Sequence, residues 1–317
     1  MTQERANVRK VTVTINEDGQ RLDNFLLKQL PGVPKSHVYR LVRSGQVRIN
    51  SGRAKPGIRL EEGDIVRIPP VRMAEKGEVV RPPDSVLERL RAAIIQEDEH
   101  YLVLDKPSGL AVHAGSGLMF GVIEAIRAWG IYDYIELCHR LDRETSGVLL
   151  LAKSRLALLR AQNAFRAGTV DKRYLALLVG KWEGGEREVD AALIKTRQKG
   201  AHKVEIADED EGRDARSLFS PKRLFHGASL CEVKIYSGRM HQIRVHAAAL
   251  GHAVAGDGKY GHSNDFKSLR EMGLKRMFLH AEKLALPAAD GFPPINLQAP
   301  LPGELSDVIK ALERKRG

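Results

Sequence analysis

Cysteine is scarce in this chain. Cys138 and Cys231 are the only two among 317 residues, so neither a disulfide framework nor a CxxC metal clip is available. Long apolar runs are missing too. No stretch approaches the roughly 18 apolar residues of a membrane-crossing helix, and the opening Met-Thr-Gln-Glu-Arg-Ala-Asn has no apolar leader core. Both absences point to a soluble protein of the cytoplasm. The loop Ala114-Gly115-Ser116-Gly117 lacks the Lys-Ser/Thr of a P-loop and the GxGxxG spacing, which discounts nucleotide binding. His241 and His246 stand five apart, off a common helical face, so no zinc site is expected. The sequence shows no internal repeat and no low-complexity tract. Negative charge is also in short supply: 40 Asp and Glu face 51 Lys and Arg, a net +11 with a pI near 9.6.

The length suggests two domains, and 43% hydrophobic residues suffice for packed cores. The positive charge is concentrated. Residues 1–80 hold 15 Lys and Arg against 9 Asp and Glu, which is +6 of the +11. Such a field suits a polyanion, most often nucleic acid.

Near the N-terminus, Val11 to Ile15 alternate as a half-buried strand. A helix is expected from Asp18 or Gly19 to Leu30, with Leu22, Phe25, Leu26 and Leu30 on one face, ended by Pro31-Gly32. Ser36 is the expected N-cap of a second helix, with Val38, Leu41 and Val42 inward and Lys35, Arg40 and Arg43 outward. Strands at Val47–Asn50 and Ile65–Ile68 complete a small module. Its segments Arg21-Leu-Asp-Asn-Phe-Leu26, Pro34-Lys-Ser36, Gly45-Gln-Val-Arg-Ile-Asn50 and Gly63-Asp64 resemble the S4 RNA-binding domain. The expected organisation is an S4-like domain over 15–75, a linker over 76–92, and a second domain over 93–317.

The second domain reads as α+β. A hairpin joins Ile94-Ile95 to Tyr101–Leu104, and a helix carries Val122, Ile123 and Ile126 inward. Val148 to Ala152 is a continuous apolar run, as in a strand buried on both faces. A helix capped by Ser154 and ended by Gly168 carries Leu156, Leu159 and Phe165. Asp171–Val179 alternates as a strand, with Tyr174, Ala176 and Leu178 on one side. Further β-rich segments run through Tyr236, and an exposed acidic loop is expected at Asp208–Glu211. A helix should follow over His241–Leu250, then strands at Phe278–Leu286 and Ile295–Gln298, and a last helix near Ser306–Arg316 capped by Ser306. Many strands with few helices between them argue for a mixed, largely antiparallel sheet flanked by helices.

Two stretches carry candidate chemistry. Charged and hydroxyl residues crowd into the turn before the Val148 strand, which places Asp142 on a loop held by a rigid core element. By itself such a turn is as well explained by Asp142 pairing with Arg140 or Arg143 in solvent. The second stretch puts Arg244 in the first turns of a helix, where the macrodipole disfavours a cation; a buried anion is the usual reason. A lone strand tyrosine such as Tyr174 is most often a core residue with a wet hydroxyl.

His139-Arg140-Leu141-Asp142-Arg143-Glu144-Thr145-Ser146-Gly147 resembles the signature of the RluA-type pseudouridine synthases. The similarity extends from about Arg21 to the C-terminus and is strongest to the C type of their large-subunit ribosomal RNA branch. It implies the isomerisation of specific uridines in large-subunit ribosomal RNA, free or in an assembling particle, by a monomer without cofactor. Asp142 matches the family's catalytic aspartate. Tyr174, in Lys-Arg-Tyr-Leu-Ala, matches the tyrosine that stacks on the target base. Arg244, in Gly-Arg-Met-His-Gln-Ile-Arg, matches the arginine that pairs with the aspartate, and Arg140 the residue that fills the gap left by the flipped nucleotide. Asp142 could attack the sugar, attack the base, or take a proton from the 2′ position. Lys106, His113, Lys172 and Arg239 are candidate phosphate contacts. Ser237 stands where the family often has threonine, and Thr196–Arg213 is longer and more charged than the family pattern. Competing expectations are a non-catalytic RNA-binding or ribosome-assembly factor and a synthase acting on transfer RNA.

Overall fold

The computed structural model describes residues 7–71, 81–115, 118–198, 201–207, 211–289 and 291–315. The chain divides near residue 81 into two compact units. The anticipated linker residues 76–80, most of the acidic loop and Arg316 lie outside the described residues.

The first unit contains β1 (Arg9–Thr12), α1 (Leu22–Gln29), α2 (Lys35–Arg43), β2 (Arg48–Ile49), β3 (Gly52–Arg53) and β4 (Ile65–Ile68). Its antiparallel sheet has the order β1-β4-β2-β3. Leu22, Phe25 and Leu26 of α1 and Val38, Leu41 and Val42 of α2 share one core with Val66 and Ile68. The helical period that puts these residues inward leaves Lys35, Arg40 and Arg43 exposed on α2. The unit reaches further back than residue 15, because β1 pairs along β4 from Arg9↔Ile68 to Thr12↔Ile65. Helix α1 starts at Leu22 rather than at Asp18 or Gly19. Gly19 adopts a φ of +67°, which a right-handed helix cannot continue through. Helix α2 starts on Pro34, whose fixed φ suits helix entry, and takes no cap from Ser36.

The second unit opens with α3 (Asp84–Ala92), β5 (Ile94–Glu97), β6 (Tyr101–Lys106), α4 (Val122–Arg127), β7 (Glu136–Leu137) and β8 (Ser146–Ala152). There follow α5 (Arg155–Ala167), β9 (Asp171–Val179), β10 (Arg187–Asp190), β11 (Leu193–Gln198), β12 (Ala201–Ile206), β13 (Arg216–Phe225) and β14 (Ala228–Ile235). The chain ends through α6 (Gln242–Ala249), α7 (Lys267–Glu271), β15 (Leu279–Leu286), β16 (Ile295–Gln298) and α8 (Gly303–Arg314). The main sheet has the order β10-β13-β14-β9-β15-β8-β6-β5, with β16 beside β15 and β7 beside β8, while β11 and β12 form a separate hairpin. Only β15 and β8 run parallel among the described pairs. The expected α+β class, mixed and largely antiparallel, is what forms.

Helices cover both faces of the sheet. Val148 and Leu150 point to the α5 side, and Leu149 and Leu151 to the side of α3 and α4. All seven residues of β8 are buried, as a continuous apolar run requires. Strand β9 alternates in the same way, Ala176 and Leu178 toward α6 and Leu177 toward α8.

Two expectations for this unit need correction. Residues 84–92 are not linker: they form α3, whose Leu87 and Leu90 pack in the core with Leu102 and Leu104. Helix α5 turns Ala157, Leu158 and Ala161 inward and leaves Leu156 65% exposed, because small side chains let the helix lie close on the sheet. Helix α8 begins at Gly303 after Pro302, so Ser306 sits inside it and donates to the Leu301 carbonyl.

Gly147 makes the centre of the sheet possible. It pairs with Ala281 on β15 and Lys106 on β6, at a φ of +112°, and an added Cβ would stand 2.2 Å from the Ala281 carbonyl oxygen. Both backbone strain and overlap with an immobile strand oppose any side chain. Gly147→Ala should therefore cost about 2–4 kcal/mol of stability in chemical denaturation; a loss below about 0.5 kcal/mol would show that β8 and β15 separate freely.

Candidate active site

The loop from Cys138 to Thr145 leaves the edge strand β7 and returns as β8. Its two ends are tied to the framework by different chemistry. At the entry, the Cys138 N–H donates to the Leu150 carbonyl (3.0 Å), and His139 Nε2 accepts from the Leu150 N–H (3.0 Å). Burial pulls the His139 pKa down to about 4, so the imidazole is neutral and Nε2 is free to accept. At the exit, the turn after β6 takes hold. Gly109 N–H and Lys106 Nζ donate to the Arg143 carbonyl (2.9 and 3.2 Å), and Ser108 Oγ donates to that of Glu144 (2.7 Å). Thr145 N–H closes the loop on the Asp142 carbonyl at 3.2 Å. Asp142 is carried between these ties, its side chain 18% exposed.

Lys106 is thus not a phosphate contact. It is fully buried, and its ammonium donates to the carbonyls of Pro107, Leu110 and Arg143. Burial lowers its pKa to about 7, opposed by the carboxylates of Glu144 and Asp142. Lys172 is also nearly buried. Its amine donates to the Ser237 carbonyl (3.1 Å), and burial lowers its pKa to about 8. A lysine in sequence reads as solvated charge; here both support turns.

Opposite Asp142 stands α6. The turn before it is stapled by Gln242, whose Oε1 accepts from Ser237 Oγ and the Arg239 N–H and whose Nε2 donates to the Arg216 carbonyl and Ser217 Oγ. His241 enters the helix at a φ of +56°, the left-handed region. Arg244 is nearly buried and lies 3.7 Å from Asp142, Nη1 to Oδ2. The anion that its position demands is Asp257, fully buried, which accepts from Nε and Nη2 at 2.7 Å each. Burial raises the Asp257 carboxyl, but the hydrogen bonds and charge of Arg244 outweigh it and hold the group ionised. Asp257 also accepts the N–H groups of Lys259 and Tyr260 (2.9 and 3.3 Å).

A pocket brings Asp142, Tyr174, Arg244, Arg140 and Arg239 together. Tyr174 faces it from β9, half-buried, its phenol pushed upward by burial and then by the Asp142 charge. Arg140 and Arg239 are exposed at this pocket, and Arg239 Nε donates to the Asp214 carbonyl (3.0 Å). His113, also exposed, lines an adjoining cavity that shares Asp142, Arg140 and Arg244. Lys35, Arg40 and Arg43 belong to the other unit. There Lys35 and Arg43 flank the Tyr39 ring, at 5.7 and 5.9 Å from its centroid.

Sequence reasoning missed Asp257 and Tyr260, and weighed His241 only as a zinc ligand. The available signal was Asp257 in Gly256-Asp257-Gly258-Lys259-Tyr260-Gly261, an acid in a glycine-rich turn. Gly256 is required there: its φ is +79° and a Cβ would meet the Arg276 carbonyl oxygen at 2.6 Å. His246 takes no part in the pocket, since its two ring nitrogens lie against Ser217 Oγ and the Ala191 carbonyl.

Lys106→Met should keep the buried stem but leave the carbonyls of Pro107 and Leu110 without this donor and that of Arg143 with the Gly109 N–H alone. A loss of about 2–4 kcal/mol is expected in denaturation, with the salt dependence of RNA binding unchanged. A shallower salt slope would return Lys106 to the phosphate contacts.

Residues 100–249 match the family profile described as RNA pseudouridylate synthase, and residues 20–66 match that of the S4 domain. The ribosomal large subunit pseudouridine synthase C of Yersinia pestis is 44% identical over 97% of this chain and 96% of its own. That of Escherichia coli (strain K12) is 43% identical over the full length of both. Among solved structures, human RNA pseudouridylate synthase domain containing 4 superposes with a TM-score of 0.59 at 25% identity, covering 73% of this chain and 96% of its own. Human RNA pseudouridylate synthase domain containing 1 gives 0.56 at 26% identity, covering 70% and 94%.

Proposed function

Because this chain belongs to the RNA pseudouridylate synthase family, we propose that it converts specific uridines of large-subunit ribosomal RNA to pseudouridine, with Asp142 as the reacting carboxylate. The choice of RNA rests on relatives of that name that match from end to end. One observation carries the site: the Asp142 carboxylate opens into a pocket that has Arg244 3.7 Å away and Tyr174 in its wall.

The reaction breaks N1–C1′, turns the uracil and joins C5 to C1′. The C5 proton is lost and N1 gains one, so atoms and electrons balance with no outside group. In a stacked helix the reacting atoms are out of reach, and extruding the nucleotide costs a few kcal/mol. Stacking on Tyr174 recovers about 1–3 kcal/mol of that. Arg140, exposed beside the pocket, is placed to fill the gap in the stack. Arg244 is bound on two nitrogens by Asp257 and presents the third to Asp142, which fixes the carboxylate for attack or proton removal. Arg239 and His113 are proposed to meet the phosphates nearby.

Affinity is assigned to the first, S4-like unit, through Lys35, Arg40 and Arg43, and the chemistry to the second unit. Asp142, Tyr174 and Arg244 come from one chain, so the site needs no second subunit, and the protein is taken to act as a monomer. No helix among the described residues is long and apolar enough to cross a membrane, which agrees with action in the cytoplasm, where the RNA is. A non-catalytic RNA-binding factor would have no use for a carboxylate, an arginine and a tyrosine convergent on one pocket.

The test is pseudouridine mapping of ribosomal RNA, by carbodiimide labelling and primer extension, in cells lacking the protein. Large-subunit sites should vanish and return with the wild-type chain but not with Asp142→Asn. The same variant should bind RNA within a few-fold of wild type, since the carboxylate contributes chemistry rather than affinity. Sites lost from transfer RNA alone would redirect the substrate, and turnover by Asp142→Asn would refute the role of the aspartate. Arg40→Glu with Arg43→Glu should weaken binding and lower its salt slope by about two; an unchanged slope would mean that α2 does not touch RNA.

A further inference from the structure

Tyr260 has no part in the scheme above, yet it touches both groups that flank Asp142. It lies in the turn after α6, half-buried, in a small core with Val204, Val245 and Met240. Its ring stands under the Arg244 guanidinium, 5.0 Å from the centroid. Its hydroxyl is 2.7 Å from His241 Nδ1 and accepts the Val204 N–H from β12 at 3.1 Å. The other nitrogen of that imidazole, Nε2, lies 3.9 Å from Asp142 Oδ2, the oxygen that Arg244 also approaches.

We infer that Tyr260 is a positioning residue that fixes the tautomer of His241, so that Nε2 carries the proton and aims it at Asp142. Two arguments meet. The Val204 N–H occupies one lone pair of the phenol oxygen, and the phenol proton finds its acceptor in His241 Nδ1. The reverse tautomer would turn a nitrogen lone pair toward an anionic oxygen, which is repulsive, whereas Nε2–H is attracted to it. The left-handed backbone at His241 holds the ring in this place, between the hydroxyl and the carboxylate. Asp142 Oδ2 is thereby approached from two sides, by the charged Arg244 at 3.7 Å and at 3.9 Å by an imidazole that burial keeps neutral. Tyr260 sets both, the first by its ring face and the second by its hydroxyl.

This inference rests on Asp142 being the reacting group, but its primary test does not need turnover. The full chain labelled with 15N-histidine is examined by two-bond 1H–15N correlation, with the His241 signals assigned by their loss in His241→Gln. Wild type should show His241 neutral, with Nε2 protonated and Nδ1 unprotonated. Tyr260→Phe keeps the ring under Arg244 and removes only the hydroxyl. It should shift the His241 nitrogens toward a mixture of tautomers. On a minimal RNA substrate it should lower kcat roughly tenfold with KM unchanged, the worth of one hydrogen bond to an active group. A wild-type His241 protonated at Nδ1 overturns the assignment, and so does a Tyr260→Phe protein with wild-type tautomer and kcat. If the wild-type chain forms no pseudouridine, the functional reading fails while the tautomer spectra still decide the role of Tyr260.

Discussion

Everything at the site depends on how the Cys138–Thr145 loop is fastened. A loop exposed to a polyanionic ligand needs polar residues, and polar residues do not pack themselves into place. Here the backbone is held instead. Leu150 of the central strand grips the loop entry, and the Lys106 turn grips the exit through the carbonyls of Arg143 and Glu144. Taking the Lys106 ammonium out of water carries a desolvation cost that three carbonyl acceptors offset. The result is a carboxylate that meets the pocket from a frame as rigid as the sheet.

The partners of Asp142 are arranged with the same asymmetry. Arg244 is bound tightly by the buried Asp257 and loosely by Asp142. Had the bidentate pair formed with Asp142, the carboxylate would have both oxygens committed. A dedicated counter-ion releases Asp142 from that duty while keeping the cation in a place that its helix position disfavours. Tyr174 joins them from β9 because strand alternation puts it on the same face as Ala176 and Leu178, toward α6.

Much of this was legible beforehand. The apolar run after Gly147 showed a buried strand, and a crowd of polar residues directly before it located the loop. Alternation placed Tyr174, and the awkward position of Arg244 required a buried anion. Which anion was not legible: Asp257 lies thirteen residues further on, in a turn with no periodicity to orient it. Lys106 and Lys172 misled because charge predicts exposure unless carbonyls converge on the amine, and convergence is a property of the fold. In α5 hydropathy would weight Leu156 and Leu159, whereas close approach to the sheet rewards Ala157 and Ala161. Helix starts at Pro34 and Pro302 were missed because serine caps were sought where proline geometry sufficed.

The parallel pairing of β15 with β8 has a bearing on the order of assembly. Strands β6 and β8 come early in the second unit, but β15 must slip between β8 and β9 from more than a hundred residues downstream. Gly147, at the root of the Asp142 loop, receives its neighbour Ala281 only then. Contacts of such long sequence separation form late, after the entropy of closing the intervening chain has been overcome. The sheet of the first unit, in contrast, closes with Ile68. During synthesis the chain therefore acquires its compact basic module well before the strand that completes its carboxylate site has left the ribosome.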